Sequence, residues 1–383
     1  MRASCLCLVL CSVLWTLHRR DVADSQAPPA APEQGPAKKA VLIIHGGAGP
    51  LTEAAMKQEG LRREHFEQVL AQSLRAGHQA LKTGASVDGV EAAIRVLEDS
   101  ELFNAGRGAA FTADGRVELD ASLMEGKVTR KGEGKRDPRK RAGAVAGVTH
   151  VKNPISAARA VMEMPDSRHV LLAGEGAEAF LFGDPNRIRQ YRLERVSNLY
   201  FWTDRRLRQV REAHQKDQAR PGADRRLGTV GAVALDRHQH LAAGTSTGGL
   251  TYKLPGRIGD SPLIGAGTYA DDRACGVSCT GTGEVFIRHA VAHDVVARML
   301  YGKSTVADAV RQAIDELPDE PEGVGGLIAL DRDGQPVFGM SPQSVGMYRG
   351  YITEDGQVYV AIYRTEREKF LPAAPEKPGA EKP

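Results

Sequence analysis

Three short runs of alternating apolar and polar residues double back on tight polar turns, around 236–240, at Asp333-Gly334 and at Asp355-Gly356. Two runs of helical period, 285–300 and 305–317, lie between the first turn and the second. Val230, Ala232 and Ala234 precede the first turn and Leu241 and Ala243 follow it, a spacing that predicts a β-hairpin. Strands in blocks, with helices in blocks between them, disfavour a doubly wound parallel sheet; antiparallel sheets with layered helices are expected. Earlier in the chain, the apolar run 40–44 enters His45-Gly46-Gly47-Ala48-Gly49 and reads as a buried strand ending in a glycine loop. Phe66, Val69, Leu70 and Leu74 predict one helix, and Ser86 is placed to cap another that carries Val90, Ile94 and Leu97. LFNAGRG at 102–108 then breaks the period and reads as a loop.

Composition adds three limits. Glycine supplies 42 of 383 residues, well above the usual share of about 7%, so many tight turns or close backbone approaches are specified. The 51 Lys and Arg against 48 Asp and Glu leave no field that would gather a nucleic acid. No Walker A motif, and no GxGxxG after a strand, supports a nucleotide site. Cys5, Cys7 and Cys11 fall near the start, leaving Cys275 and Cys279 for the folded part. On one strand those two stand about 13 Å apart, beyond disulfide reach, and read as small buried hydrophobes.

The ends are set apart by composition. Arg2 precedes an apolar run, 5–17, shorter than the roughly 20 residues a membrane span needs. We read residues 1–25 as a signal peptide with a small-x-small site at Ala23-Asp24-Ser25, which places the product in the periplasm or medium; a misassigned start would leave it cytoplasmic. Residues 26–39 are a Pro/Ala-rich spacer and 372–383 a disordered tail. The basic stretch 130–141, RKGEGKRDPRKR, reads as a solvated loop, with a local anion or membrane-surface contact as its alternative.

Four segments rich in Gly and Thr sit where a packed core would prefer larger groups: GTVG at 228–231, GTSTGG at 244–249, PGRIGD at 255–260 and TGTGE at 280–284. Threonine is ordinary in strands, so Thr229 alone reads as structural. A Thr hydroxyl becomes a nucleophile when a base adjoins it, and one solution makes Thr the first residue so that its own α-amine takes the proton. That requires a cut chain, and the charged, glycine-ended stretch 215–228 suits a cleavable linker.

Taken together, VLIIHGGAG, LFNAGRGA, ELDASLMEG, AGAVAGV, GTVGAVALD, GTSTGG, LPGRIGDSPLIGAGTYAD and SCTGTGEVFIR resemble, in order, the isoaspartyl peptidase/L-asparaginase family of N-terminal-nucleophile hydrolases. The resemblance runs over 40–363 and implies an α+β fold, the four-layer αββα sandwich. It implies cleavage between Gly228 and Thr229, an α chain 40–228, a β chain 229–371 and a dimer of αβ units, a heterotetramer. By matched motif, Thr229 is the nucleophile and Thr247 hydrogen-bonds its oxygen, while Thr280 and the Gly281 N–H form the oxyanion hole. Arg257 would hold the substrate α-carboxylate and Asp260 its α-ammonium; the alternative for these two is a surface ion pair. Asn104 would position the active-site Thr. The backbone carbonyls of Leu97, Glu98, Ser100, Phe103, Ala105 and Arg107 would hold a structural Na+. No cofactor is implied for catalysis. His45 reads as structural, since the family needs no histidine base.

The implied reaction is hydrolysis of β-aspartyl dipeptides and L-asparagine through a threonine acyl-enzyme. Two departures stand out: Tyr252 where relatives usually carry Asn, and the basic stretch, which resembles an insertion. The competing readings are a glycosylasparaginase acting on GlcNAc-Asn, disfavoured by TGTGE, and a non-catalytic binding module with the same fold.

Overall fold

The computed structural model of the chain describes residues 39–49, 52–129, 139–165, 169–219, 228–318 and 324–372. The expected signal peptide, nearly all of the spacer, most of the basic stretch, 220–227 of the linker and nearly all of the tail therefore lie outside the described residues.

In chain order the fold opens with β1 (Ala40–Gly49), α1 (Glu53–Gln58), α2 (Arg63–Leu81) and α3 (Ser86–Glu98). β2 (Leu119–Thr129), β3 (Arg139–Val148), α4 (Pro154–Met162) and β4 (Leu171–Ala173) follow, and then α5 (Gly174–Phe182), α6 (Pro185–Gln190) and α7 (Asp204–Ala219). The second half starts with β5 (Val230–Leu235), β6 (Leu241–Thr247), β7 (Thr268–Ala270) and β8 (Cys275–Gly281). Next come α8 (Gly283–His289), α9 (Val291–Leu300) and α10 (Val306–Asp315). β9 (Gly325–Asp331), β10 (Pro336–Met340), β11 (Gly346–Thr353), β12 (Val358–Tyr363) and β13 (Lys369–Leu371) complete it.

The strands form a nine-stranded sheet, in the order β13-β12-β11-β1-β5-β6-β2-β3-β4, and a four-stranded sheet, β10-β9-β8-β7. Every pairing is antiparallel except β3 with β4. The three expected hairpins are β5-β6, β9-β10 and β11-β12. Side-chain alternation then builds the layers. Leu42 and Ile44 of β1 pack under α2 and α3 with Phe66, Leu70 and Ile94, whereas Ile43 between them faces the other sheet beside Val233, Ala243 and Ile328. Val277 and Leu327 meet Val295 and Val310 of the second helical layer. The result is the four-layer αββα sandwich. Both faces of β5 and β6 are covered, so the hairpin alternates between two cores instead of between core and solvent.

Four local expectations change. HGGAG is not a loop: β1 continues to Gly49, with a register shift between His45 and Ala48 that marks a bulge. Ser86 is the first helical residue, not the cap; Asp88 Oδ2 reaches back to accept from the Ala85 N–H at 2.7 Å. The helical run 285–300 is broken at Ala290, whose φ of 47° separates α8 from α9. The last residues of the basic stretch belong to β3, where Lys140 Nζ lies 2.5 Å from Asp271 and Arg141 pairs with Glu125.

Candidate active site

Thr229 immediately precedes β5 in the middle of the large sheet, and it is buried. Its hydroxyl donates to the Gly228 carbonyl oxygen at 2.7 Å, with the chain continuous between them. Thr247, at the end of β6, places Oγ1 3.0 Å from Thr229 Oγ1 and 3.2 Å from that carbonyl oxygen, and accepts from the Gly249 N–H at 3.0 Å. Among the described residues, Asn104 makes no hydrogen bond to the Thr229 side chain. Its Nδ2 donates to the Gly228 carbonyl at 2.8 Å and the Gly249 carbonyl at 2.6 Å, while its Oδ1 accepts from Ala110 N–H. One carbonyl oxygen thus meets an amide and two hydroxyl groups, which favours negative charge on it.

The β1 bulge brings a third segment in. A Cβ on Gly47 would lie 3.1 Å from Gly228 Cα and 3.3 Å from Thr229 N. Ala48 N–H, next along, donates to Thr280 Oγ1 at 3.4 Å. Thr280 is fully buried near the end of β8, and Gly281 closes that strand. His45, buried on the same strand as the bulge, lies 3.1 Å through Nδ1 from the Thr229 carbonyl oxygen and 2.9 Å through Nε2 from Ser278 Oγ. Burial holds its pKa down to about 3, so the ring is neutral. Both of its nitrogens are engaged away from the Thr229 hydroxyl.

Arg257 and Asp260 converge on the start of α8. A Cβ on Gly283 would sit 2.9 Å from Arg257 Nη2 and 2.9 Å from Asp260 Oδ1. Arg257 is ion-paired, but with Glu284: Nε and Nη2 donate to its two carboxylate oxygens at 3.0 and 2.8 Å. Asp260 is buried, and its Oδ2 has no hydrogen-bond partner among the described residues. Burial pushes its pKa up to about 7, against the opposing pull of its own backbone N–H and of Arg257. Beneath the Gly248-Gly249 turn lies Lys253, buried, donating to the Glu118 carbonyl at 3.0 Å. Burial lowers its pKa and raises that of buried Asp120, each partly offset by the other's charge.

Glu284, Lys253, Asp120 and Ser278 carry no role in the sequence reading. Ser278 shares a strand face with Thr280 and was within reach of period-two reasoning; Glu284 ends the TGTGE segment but lies in α8, where that period does not apply. Lys253 and Asp120 feel each other's charge from distant segments of the chain, which leaves no local signal. Tyr252 has a φ of 62°, a backbone state that suits Asn far better than Tyr. Its hydroxyl meets His214 Nδ1 of α7 at 2.8 Å.

The stretch 97–108 curls from the end of α3 into a short 3-10 turn. A Cβ on Gly106 would lie 2.4 Å from the Glu98 carbonyl oxygen, and one on Gly108 2.1 Å from that of Phe103. The Glu98 and Phe103 carbonyl oxygens thus press against Gly106 and Gly108, where a side chain would not fit. The Leu97 and Ala105 carbonyls each accept a backbone N–H, from Ser100 and Gly108, and Glu98 Oε1 ties the loop to Ser246 on β6 at 2.7 Å.

A sandwich of two sheets between helical layers, with a threonine at the head of a central strand, is the fold of the N-terminal-nucleophile hydrolases. The family described as asparaginase matches residues 38–362, and this chain belongs to it. It is 45% identical over 334 residues to an isoaspartyl peptidase of Salmonella typhimurium, covering 85% of this chain and 99% of that protein. A probable isoaspartyl peptidase/L-asparaginase 2 of Arabidopsis thaliana is 41% identical over 348 residues, 84% of this chain and 98% of the relative. A plant-type L-asparaginase of Pyrococcus abyssi is 40% identical over 316 residues, covering 78% and 92%.

Proposed function

We propose that the chain cuts itself between Gly228 and Thr229 and then hydrolyses β-aspartyl dipeptides and L-asparagine. The observation that carries this reading is the Gly228 carbonyl, with the Thr229 hydroxyl 2.7 Å from its oxygen and Asn104 donating to the same oxygen. In maturation, Thr229 Oγ1 adds to the Gly228 carbonyl carbon and the C–N bond breaks. The hydroxyl proton goes to the departing nitrogen, leaving an ester and a free α-amine; water then hydrolyses the ester. The new amine has an intrinsic pKa of about 7.7–8.0, low enough to take the Thr229 proton near neutrality.

In turnover Thr229 Oγ1 attacks the substrate side-chain carbonyl, with Thr280 hydroxyl and Gly281 N–H as donors to the oxyanion. Ammonia or an amino acid leaves with the proton from the α-amine, and water releases aspartate. Arg257 reads the α-carboxylate with the Nη1/Nη2 edge, because Glu284 engages the Nε/Nη2 edge. Asp260, with an unpartnered buried oxygen, takes the α-ammonium. Both contacts address the aspartyl half, so the leaving group is read loosely. The 97–108 carbonyls are neutral oxygens that suit Na+; bound there, the ion would fix the loop that carries Asn104 and take no part in the chemistry. Residues 1–25 are proposed as an export signal, and two αβ units as the assembly.

Mass spectrometry tests these together. Under denaturing conditions the purified protein is expected as two fragments meeting at Gly228 and Thr229, the first lacking its signal, and under native conditions as a dimer of αβ units. Thr229→Ala should stay whole and release nothing. Turnover of GlcNAc-Asn in preference to β-aspartyl dipeptide, or turnover by an uncut chain, would overturn the reading.

A further inference from the structure

Five buried polar side chains cross the apolar layer between the two sheets in a continuous line. His45 on β1 meets Ser278 on β8 at 2.9 Å, and Ser278 meets Thr245 on β6 at 2.7 Å. Thr245 meets Thr268 on β7 at 2.5 Å, and Ser122 on β2 lies 2.8 Å from Thr268. Each step passes from one sheet to the other, and all five side chains are fully buried. The line ends on two carbonyls, that of Thr229 at the His45 end and that of Ser261 at the other, 2.6 Å from Ser122 Oγ. Hydroxyls in an apolar layer cost free energy unless hydrogen-bonded. The backbone makes room for this line: a Cβ on Gly231 would lie 2.0 Å from Ser278 Oγ and 2.4 Å from His45 Nε2.

Counting protons fixes the direction of the line. The Thr229 carbonyl can only accept, so Nδ1 carries the ring proton and Nε2 of the neutral ring is bare. Ser278 must then donate to Nε2; Thr245 must donate to Ser278 at 2.7 Å in preference to the Gly267 carbonyl, 3.1 Å from the same hydroxyl, since Ser278 has no proton left for that contact; and Thr268 donates to Thr245. Ser122 has one proton left to offer Thr268 or the Ser261 carbonyl. All the hydroxyls of the central steps therefore point toward His45.

We propose that Ser278, Thr245 and Thr268 are positioning residues that hold His45 in its Nδ1–H tautomer and, through it, the carbonyl of Thr229. The consequence concerns the cut chain. Once the bond to Gly228 is gone, Thr229 loses the tether on its nitrogen side, and the His45 contact is a fixed point from which the freed amine is kept beside its own hydroxyl. The line meets the nucleophile at its His45 end and the backbone beside Asp260 at its other end, so an effect carried through Thr229 is read in kcat and one carried through Asp260 in KM. This rests on Thr229 being the nucleophile, which cleavage before Thr229 tests separately.

The experiment has two arms on the mature protein. Ring-nitrogen NMR of histidine-labelled enzyme, with the His45 signal assigned by its loss in His45→Gln, should show a protonated Nδ1 and a bare Nε2. A protonated Nε2 would overturn the proposal whether or not Thr229 is the nucleophile. In the second arm, Thr245→Val keeps shape and removes the hydroxyl, while Thr245→Ser keeps the hydroxyl. Loss of one buried hydrogen bond in such a relay should lower kcat about tenfold in the Val variant with KM little changed, and Ser should recover most of it. Equal activity in Val and wild type, or equal loss in Val and Ser, would overturn the proposal; if Val fails to fold, the NMR arm decides.

Discussion

Two carboxylates beside Arg257, Asp260 and Glu284, sit in different surroundings. Asp260 has its pKa raised from 3.8 to about 7 because it is buried with an unpartnered oxygen. The folded, substrate-free state therefore holds a proton that the unfolded chain has already released, so this residue's contribution to stability is lost as pH rises through about 7. Binding has the opposite sign, since an ammonium needs the ionised form. KM for asparagine should fall as pH rises through 7, and Asp260→Asn should remove that dependence and raise KM about 100-fold, as expected for a lost charge-assisted contact. Steady-state kinetics across pH checks both. Glu284, more exposed, holds Arg257 from the side. Glu284→Ala should leave the guanidinium charged but unaimed, raising KM about tenfold with a smaller change in kcat, the signature of lost ground-state binding. Thr229, Thr247, Thr280, Arg257 and Asp260 were named by matched motif from the family resemblance, which contiguous segments can carry. The partners Glu284, Lys253 and Asp120 were not, since a partner's identity depends on how distant strands pack.

At the level of elements, alternation and helical spacing located the hairpins and most helices because each is a local property. Boundaries moved where a tertiary contact won, as at Ser86, whose N–H is held by Asp236 Oδ2 at 3.1 Å from another strand's turn. The HGGAG bulge also escaped, because Gly47 serves close approach to Gly228 and Thr229, and Gly46 to Phe103, and not a turn. Gly143 on β3 shows the same logic as a packing constraint. A Cβ there would meet the Ala158 carbonyl oxygen and the Met162 nitrogen of α4, both at 2.2 Å, and backbone cannot move aside as a side-chain tip can. Gly143→Ala should cost about 3 kcal/mol, the upper end for overpacked sites, read as a lower urea midpoint, with the uncut chain as well as the mature form affected.

For the whole molecule, strand order matters more than strand count. Across the nine-stranded sheet, β13, β12 and β11 come from beyond Thr229, β1 from before it, β5 and β6 from beyond, and β2, β3 and β4 from before. A cut at Gly228 therefore separates two fragments that are interleaved twice within one hydrogen-bonded sheet. The halves should elute together from a size-exclusion column in native buffer and part only in denaturant; free fragment in native buffer would contradict this. None of it is visible in one sequence, where the order of elements carries no record of which strands end up as neighbours. The interleaving also makes time run one way. Before the cut, a denatured copy can find its way back alone, as a first-order process; after it, two different polypeptides must meet and thread their strands between each other's, at a rate set by concentration and in competition with aggregation. A copy cut at Gly228 in effect has one chance to fold, and its working life is governed by how slowly it comes apart.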